Sequence, residues 1–125
     1  MKSMIRLFIA DDAPFIREIV RNTVERAGIQ VVGEASDGLE AVSMALALKP
    51  DVILMDIIMP GMNGIEAAKQ ILATLPQTKI IAFSTADQKG IVTQALAAGC
   101  CHYLVKPFKG DELISLVQNA LKRAG

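Results

Sequence analysis

Val52-Ile53-Leu54-Met55-Asp56 runs four apolar residues without a break into a carboxylate. A strand with one wet face would alternate apolar and polar side chains. Continuous apolarity means both faces are covered, as in a parallel sheet packed between helices. Other strand-like stretches lie on either side: Ile5 to Ala10, Val31 to Ala35, Ile80 to Phe83, and Tyr103-Leu104-Val105. Between them the period changes to that of a helix. Pro14, a residue suited to a first helical turn, precedes Ile16, Ile19, Val20, Thr23, Val24 and Ala27, and Gly28 supplies a stop. Leu39, Val42, Ala45 and Leu46 mark a second helix closed by Pro50. Ile65 to Leu75 mark a third, after the turn cluster Pro60, Gly61, Asn63 and Gly64. Ile91, Ala95, Leu96 and Ala98 mark a fourth, ended by Gly99, and Leu113, Leu116, Val117, Ala120 and Leu121 a fifth. Five strands alternating with five helices predict an α/β fold, a five-stranded parallel sheet flanked on both faces by helices.

The 125 residues suit one domain, expected to span 1–125. At 52% hydrophobic and 21% charged, the chain can bury a core and is no disordered tail. Lys plus Arg equals Asp plus Glu at 13 each, so the broad basic field that holds nucleic acid or anionic lipid is missing. The run Ile5 to Ala10 is far too short to span a bilayer, and Asp11-Asp12 end it where a signal peptide would carry a cleavage site. A cytoplasmic protein is expected. The adjacent Cys100 and Cys101 suit a reducing compartment. With His102 they are three consecutive residues, badly placed to share one ion, and ordinary strand-entry packing is the simpler reading.

In an open parallel sheet, ligands bind at the carboxyl ends of the strands. Asp11 and Asp12 end the first strand, Asp56 the third, Ser84 and Thr85 the fourth, and Lys106 the fifth. Any one of them could be a helix cap, a turn residue or a solvated charge. Together they would place three carboxylates, one or two hydroxyls and an ammonium on one edge. Converging carboxylates repel, and a hard divalent cation with oxygen ligands, Mg²⁺ above all, relieves the repulsion.

Asp11-Asp12, Asp56 with Met59-Pro60-Gly61-Met62-Asn63-Gly64, then Ser84, then Lys106-Pro107-Phe108 resemble the receiver domains of two-component response regulators. The likeness runs from about Ile5 to the last helix. Asp11-Asp12-Ala13-Pro14-Phe15-Ile16-Arg17 is especially similar to free-standing chemotaxis regulators of the CheY kind. The resemblance implies a flavodoxin-like, doubly wound sheet of order 2-1-3-4-5. It implies that Asp56 takes a phosphoryl group from a histidine kinase, and that the protein is no enzyme beyond its own phosphorylation and dephosphorylation. Asp12 and Asp56 would ligate Mg²⁺ (with Mn²⁺ able to substitute), together with the Ile58 backbone carbonyl and with Asp11 acting through water. Lys106 would pair with Asp56 and then with a phosphoryl oxygen, through a cis bond to Pro107. Ser84 would follow the phosphoryl group and Tyr103 would follow Ser84. The output protein would dock on the fourth helix, fifth strand and fifth helix, where Ile91, Tyr103 and Ile114 are candidate contacts. A monomer or a weak phosphorylation-dependent dimer is expected, touching neither nucleic acid nor membrane directly.

Two departures stand out. Thr85 sits where receivers usually carry a small residue, and strand alternation points it away from Ser84, the expected switch hydroxyl. Ile58 and Ala86, at the positions that tune phosphoryl lifetime, are hydrocarbons and cannot hydrogen-bond an attacking water. Slow self-dephosphorylation is therefore expected. Three other readings compete. Aspartate-nucleophile phosphohydrolases want a second Asp where Ile58 stands, and no Gly-rich phosphate loop occurs. A binding module that takes no phosphoryl group would not need all the acids and Lys106. A receiver cut from a longer transcription regulator is a matter of context, not of chemistry.

Overall fold

In the computed structural model, which describes residues 4–85 and 89–122, strands and helices alternate throughout. They are β1 (Arg6–Ala10), α1 (Pro14–Arg26), β2 (Gln30–Ala35), α2 (Gly38–Leu48), β3 (Val52–Asp56), α3 (Gly64–Thr74), β4 (Lys79–Ser84), α4 (Lys89–Ala97), β5 (His102–Val105) and α5 (Gly110–Lys122). The sheet is parallel throughout, in the order β2-β1-β3-β4-β5. The expected α/β architecture and strand order both hold.

Alternation along each strand divides the core in two. Phe8, Ala10, Ile53, Met55, Ile80 and Ala82 face α2, α3 and α4, whereas Leu7, Ile9, Val52, Leu54, Ile81 and Phe83 face α1 and α5. All five residues of β3 are buried. This is why its sequence shows no polar phase: each side chain leaves water whichever way it points.

The helix ends follow local chemistry. Asp37 and Asn63 cap α2 and α3 by accepting from the backbone N–H groups of Glu40 and Glu66, at 2.8 and 2.9 Å. Pro14 opens α1, and the preceding Ala13 offers no side-chain cap. Gly28 and Gly99 take φ of 82° and 109°, the left-handed region that favours glycine at a helix exit.

The second helix forms where expected, and its buried face is made of small residues. Leu39 is 65% exposed, and the buried residues of this helix are Gly38, Ala41 and Ala45. A side chain on Gly38 would meet the Met62 carbonyl oxygen at 2.1 Å. The helix approaches the loop before α3 so closely that only small residues fit the contact, and the large Leu39 is turned outward. Leu96 on α4 is likewise 47% exposed. Among the described residues, no helix is long and apolar enough to cross a membrane.

Candidate functional site

Strand order reverses between β1 and β3, and that crevice is where the acids gather. Asp11 follows the last residue of β1, and its N–H donates to the Ala35 carbonyl at the end of β2, 3.0 Å away. The Asp11 carboxylate accepts from the Ala13 N–H at 2.8 Å, which folds the chain tightly into α1 and leaves Asp12 exposed above it. Arg17, one turn into α1, donates to the Asp11 carbonyl at 2.6 Å and to Glu34 on β2 at 3.2 Å. The acidic turn is thus fastened to two neighbouring elements.

Asp56 ends β3. Just beyond it the Ile57 N–H donates to the Phe83 carbonyl of β4, and the Gly64 N–H to the Ile57 carbonyl. A Cβ on Gly64 would lie 2.1 Å from the Asp56 carbonyl oxygen, so only glycine lets α3 start this close to the acid. Asp11, Asp12 and Asp56 each offer a carboxylate oxygen, all within 4.8 Å of one another. Asp11 and Asp56 are 0% and 3% exposed.

Lys106 enters from the end of β5. Its Nζ lies 2.8 Å from Asp11 Oδ2 and 3.5 Å from Asp56 Oδ2, and its peptide bond to Pro107 is cis, as expected. The pairing differs from the expectation in one respect: the shorter contact is to Asp11. The ammonium lies between two buried carboxylates and nearer the fully buried one. Burial pushes the Asp56 carboxyl up to about 6, with the Asp11 charge adding to the rise and Asp12 contributing. The Lys106 ammonium and the Ile58 N–H, 3.2 Å from Asp56 Oδ1, oppose it.

Ser84 is buried and Thr85 exposed, in line with the expected alternation. The Ser84 carbonyl accepts from the Lys106 N–H at 2.9 Å, tying the ends of β4 and β5 together. Ile58 stands 57% exposed at the mouth of the site. Ala86 lies outside the described residues. Tyr103, Ile91 and Ile114 are partly buried, and the more exposed apolar residues near them are Leu96 and Val105. Cys100 is buried and Cys101 exposed, and neither forms a disulfide. Burial raises the Cys100 thiol to about 12, so it stays protonated. Among the described residues, the three aspartates are the one group able to hold a metal, and the Cys100-Cys101-His102 run is not another. Phe83 and Glu34 carried no signal as site residues in the sequence, and Arg17 appeared there only within the stretch Asp11–Arg17: strand register sets Phe83 beside Asp56, and helix phase lets Arg17 join Asp11 to Glu34.

A 2-1-3-4-5 parallel sheet with acids at its switch point and a lysine reaching them from the end of β5 defines the class, a doubly wound α/β domain with its charged site at the carboxyl ends of the strands. Residues 7–118 match the family model described as the response regulator receiver domain. The chemotaxis protein CheY of Listeria monocytogenes is 41% identical over 119 residues, 95% of this chain and all of that one. YxjL of Bacillus subtilis, an uncharacterized transcriptional regulatory protein, is 42% identical over 97% of this chain but only 56% of its own length. The receiver domain of the response regulator NarL from Mycobacterium tuberculosis superposes with a TM-score of 0.92 at 34% identity, covering 97% of this chain and 98% of that one. The chain belongs to the response regulator receiver family of two-component signalling.

Proposed function

We propose that Asp56 accepts a phosphoryl group from a histidine kinase and that the phosphorylated domain binds an output protein. The observation that carries this reading is the convergence of three carboxylates within 4.8 Å, faced by the Lys106 ammonium. An Asp56 oxygen attacks the phosphorus of a phosphohistidine. The O–P bond forms as the P–N bond breaks, and the electron pair stays with the imidazole. Asp12, Asp56 and the Ile58 carbonyl would hold Mg²⁺, with Asp11 behind a water, a donor set of hard oxygens that fits this ion. Bound there, the ion neutralises charge on the transferring group. Lys106 supplies the remaining positive charge, and the Ile58 N–H holds Asp56 Oδ1 while Oδ2 faces Lys106.

Phosphorylation adds about −1.5 to −2 charges and strong acceptor oxygens. Ser84, at the end of β4, is the hydroxyl best placed to follow a phosphoryl oxygen, and its movement would be felt at Tyr103 on the adjacent β5. The face formed by α4, β5 and α5 would then change its affinity for a partner. Full-length likeness to CheY favours a cytoplasmic chemotaxis role, while the likeness to YxjL keeps a receiver within a longer regulator as the second reading.

Incubation with Mg²⁺ and acetyl phosphate, read by intact mass, should add one phosphoryl group, and a chelator should abolish the gain. Borohydride reduction should map it to Asp56. A protein that gains no phosphate mass would overturn the assignment.

The exposed hydrocarbon of Ile58 offers no hydrogen bond to a water approaching an acyl phosphate. Ile58→Asn is expected to shorten the phosphoryl half-life by roughly threefold or more, the range in which one positioned hydrogen bond acts. Decay after removal of the donor measures it, and equal or slower loss from the variant would refute the role.

A further inference from the structure

Lys106 has a third neighbour besides its two carboxylates. Its Nζ stands 4.5 Å from the centroid of the Phe83 ring. Phe83 is fully buried on β4, where the β3–β4 register makes it the partner of Asp56. The backbone serves the site as well, since the Phe83 carbonyl accepts from the Ile57 N–H at 3.1 Å. Phe108, two residues after Lys106, meets Phe83 edge to face, with centroids 6.3 Å apart and planes at 62°. The ring is therefore held from below by the core, and its negative face is offered to an ammonium that is largely out of water. An aromatic face attracts a cation without fixing its direction, and does so more strongly when the pair is desolvated.

We propose that Phe83 is a positioning residue for phosphoryl transfer: its ring limits the drift of the Lys106 ammonium toward Asp11 and keeps it within reach of Asp56. The inference rests on the reading of Asp56 as phosphoryl acceptor. Asp11 is the nearer carboxylate, at 2.8 against 3.5 Å, so hydrogen bonding alone would draw the lysine away from the place where phosphoryl oxygens arrive. A ring beside Asp56 offsets that pull. Because its attraction is not directional, the ring keeps holding Nζ as the hydrogen bond to Asp11 is exchanged for one to a new anion. As an Asp56 oxygen attacks phosphorus and the bond to the donor breaks, charge spreads over the phosphoryl oxygens, and a lysine already 3.5 Å from Asp56 stabilises it with little reorganisation.

Fluorinated phenylalanines at position 83 keep the ring's shape while draining, and finally reversing, the negative face. With Mg²⁺ and acetyl phosphate, the logarithm of the phosphorylation rate should fall stepwise from the parent through monofluoro and trifluoro to pentafluoro rings, by about tenfold in all. A flat series overturns the proposal. Repeating it in a Phe108→Leu background separates the face from the edge contact: a retained slope supports the lysine, and a lost slope assigns the effect to ring stacking and overturns the proposal. A readout independent of transfer is the NMR shift of the Lys106 Cε protons, which should be displaced upfield by the ring in the parent and return downfield in Phe83→Leu. An undisplaced parent signal overturns it too. A parent that takes up no phosphoryl group sinks the Asp56 assignment itself, whereas uptake with a flat series sinks this inference alone.

Discussion

Asp56→Asn is expected to stabilise the metal-free protein at pH 8 by about 3 kcal/mol, the equivalent of a carboxyl raised from 3.8 to about 6. Burial and the Asp11 charge make the folded protein hold the Asp56 proton more tightly than the unfolded chain does. Between pH 3.8 and about 6 the native state therefore binds more protons, and stability falls as pH rises through that window. Above it the full cost of the buried charge is present; below it the cost is gone. Asparagine keeps the side-chain shape and an oxygen to accept from the Ile58 N–H, and Lys106 keeps its 2.8 Å contact with Asp11. Urea denaturation with a chelator at pH 8 and pH 4 measures the effect. The variant should be well ahead at pH 8 and nearly level with the parent at pH 4. Mg²⁺ should narrow the gap at pH 8 by stabilising the parent. Equal stability at pH 8, or a gap of the same size at both pH values, would show that Asp56 carries no buried-charge cost. A protein that keeps such a residue sacrifices stability at the place where a cation or a phosphoryl group can return it.

The same balance explains what could be read from the chain and what could not. Strand identity was legible because β3 and β4 are covered on both faces, so Val52 to Met55 and Ile80 to Phe83 carry no polar residue. Asp11, Asp12, Asp56 and Lys106 were legible because each interrupts or follows such a run, and parallel strands end on a common edge. Leu39 marked the helix but not its buried face, because hydropathy rewards size, whereas the close approach of Gly38 to the Met62 carbonyl rewards smallness and the other buried residues of α2 are Ala41 and Ala45. Phe83 gave no sign of its place in the site. It reads as one more apolar strand residue, and only the pairing of β3 with β4 brings its ring beside Asp56 and beneath Lys106. The preference of Lys106 for Asp11 is a matter of tenths of an ångström between two carboxylates, which no spacing in the chain encodes.

Removing Lys106 should push two properties in opposite directions. Lys106→Met keeps an unbranched chain over the Phe83 ring but deletes the ammonium that touches Asp11 and Asp56. During transfer, the charge growing on the phosphoryl oxygens then loses a pre-placed cation. Removing one such donor in other sites lowers turnover by roughly a hundredfold to a thousandfold, and a loss of that order is expected here at saturating Mg²⁺. Before transfer, the lysine is a competitor, because it already neutralises the carboxylates that a divalent ion would use. Deleting a unit charge a few ångströms from the ion, in a partly screened site, should tighten Mg²⁺ binding by roughly tenfold. Calorimetric titration with Mg²⁺ and the rate of mass gain from acetyl phosphate measure the two effects on the same protein. Tighter metal with slower transfer is the signature of a lysine that opposes the ion in the resting state and assists the phosphoryl group in the transition state. Weaker Mg²⁺ binding would mean instead that the lysine holds the acids in place for the metal. An unchanged transfer rate would remove it from the chemistry altogether.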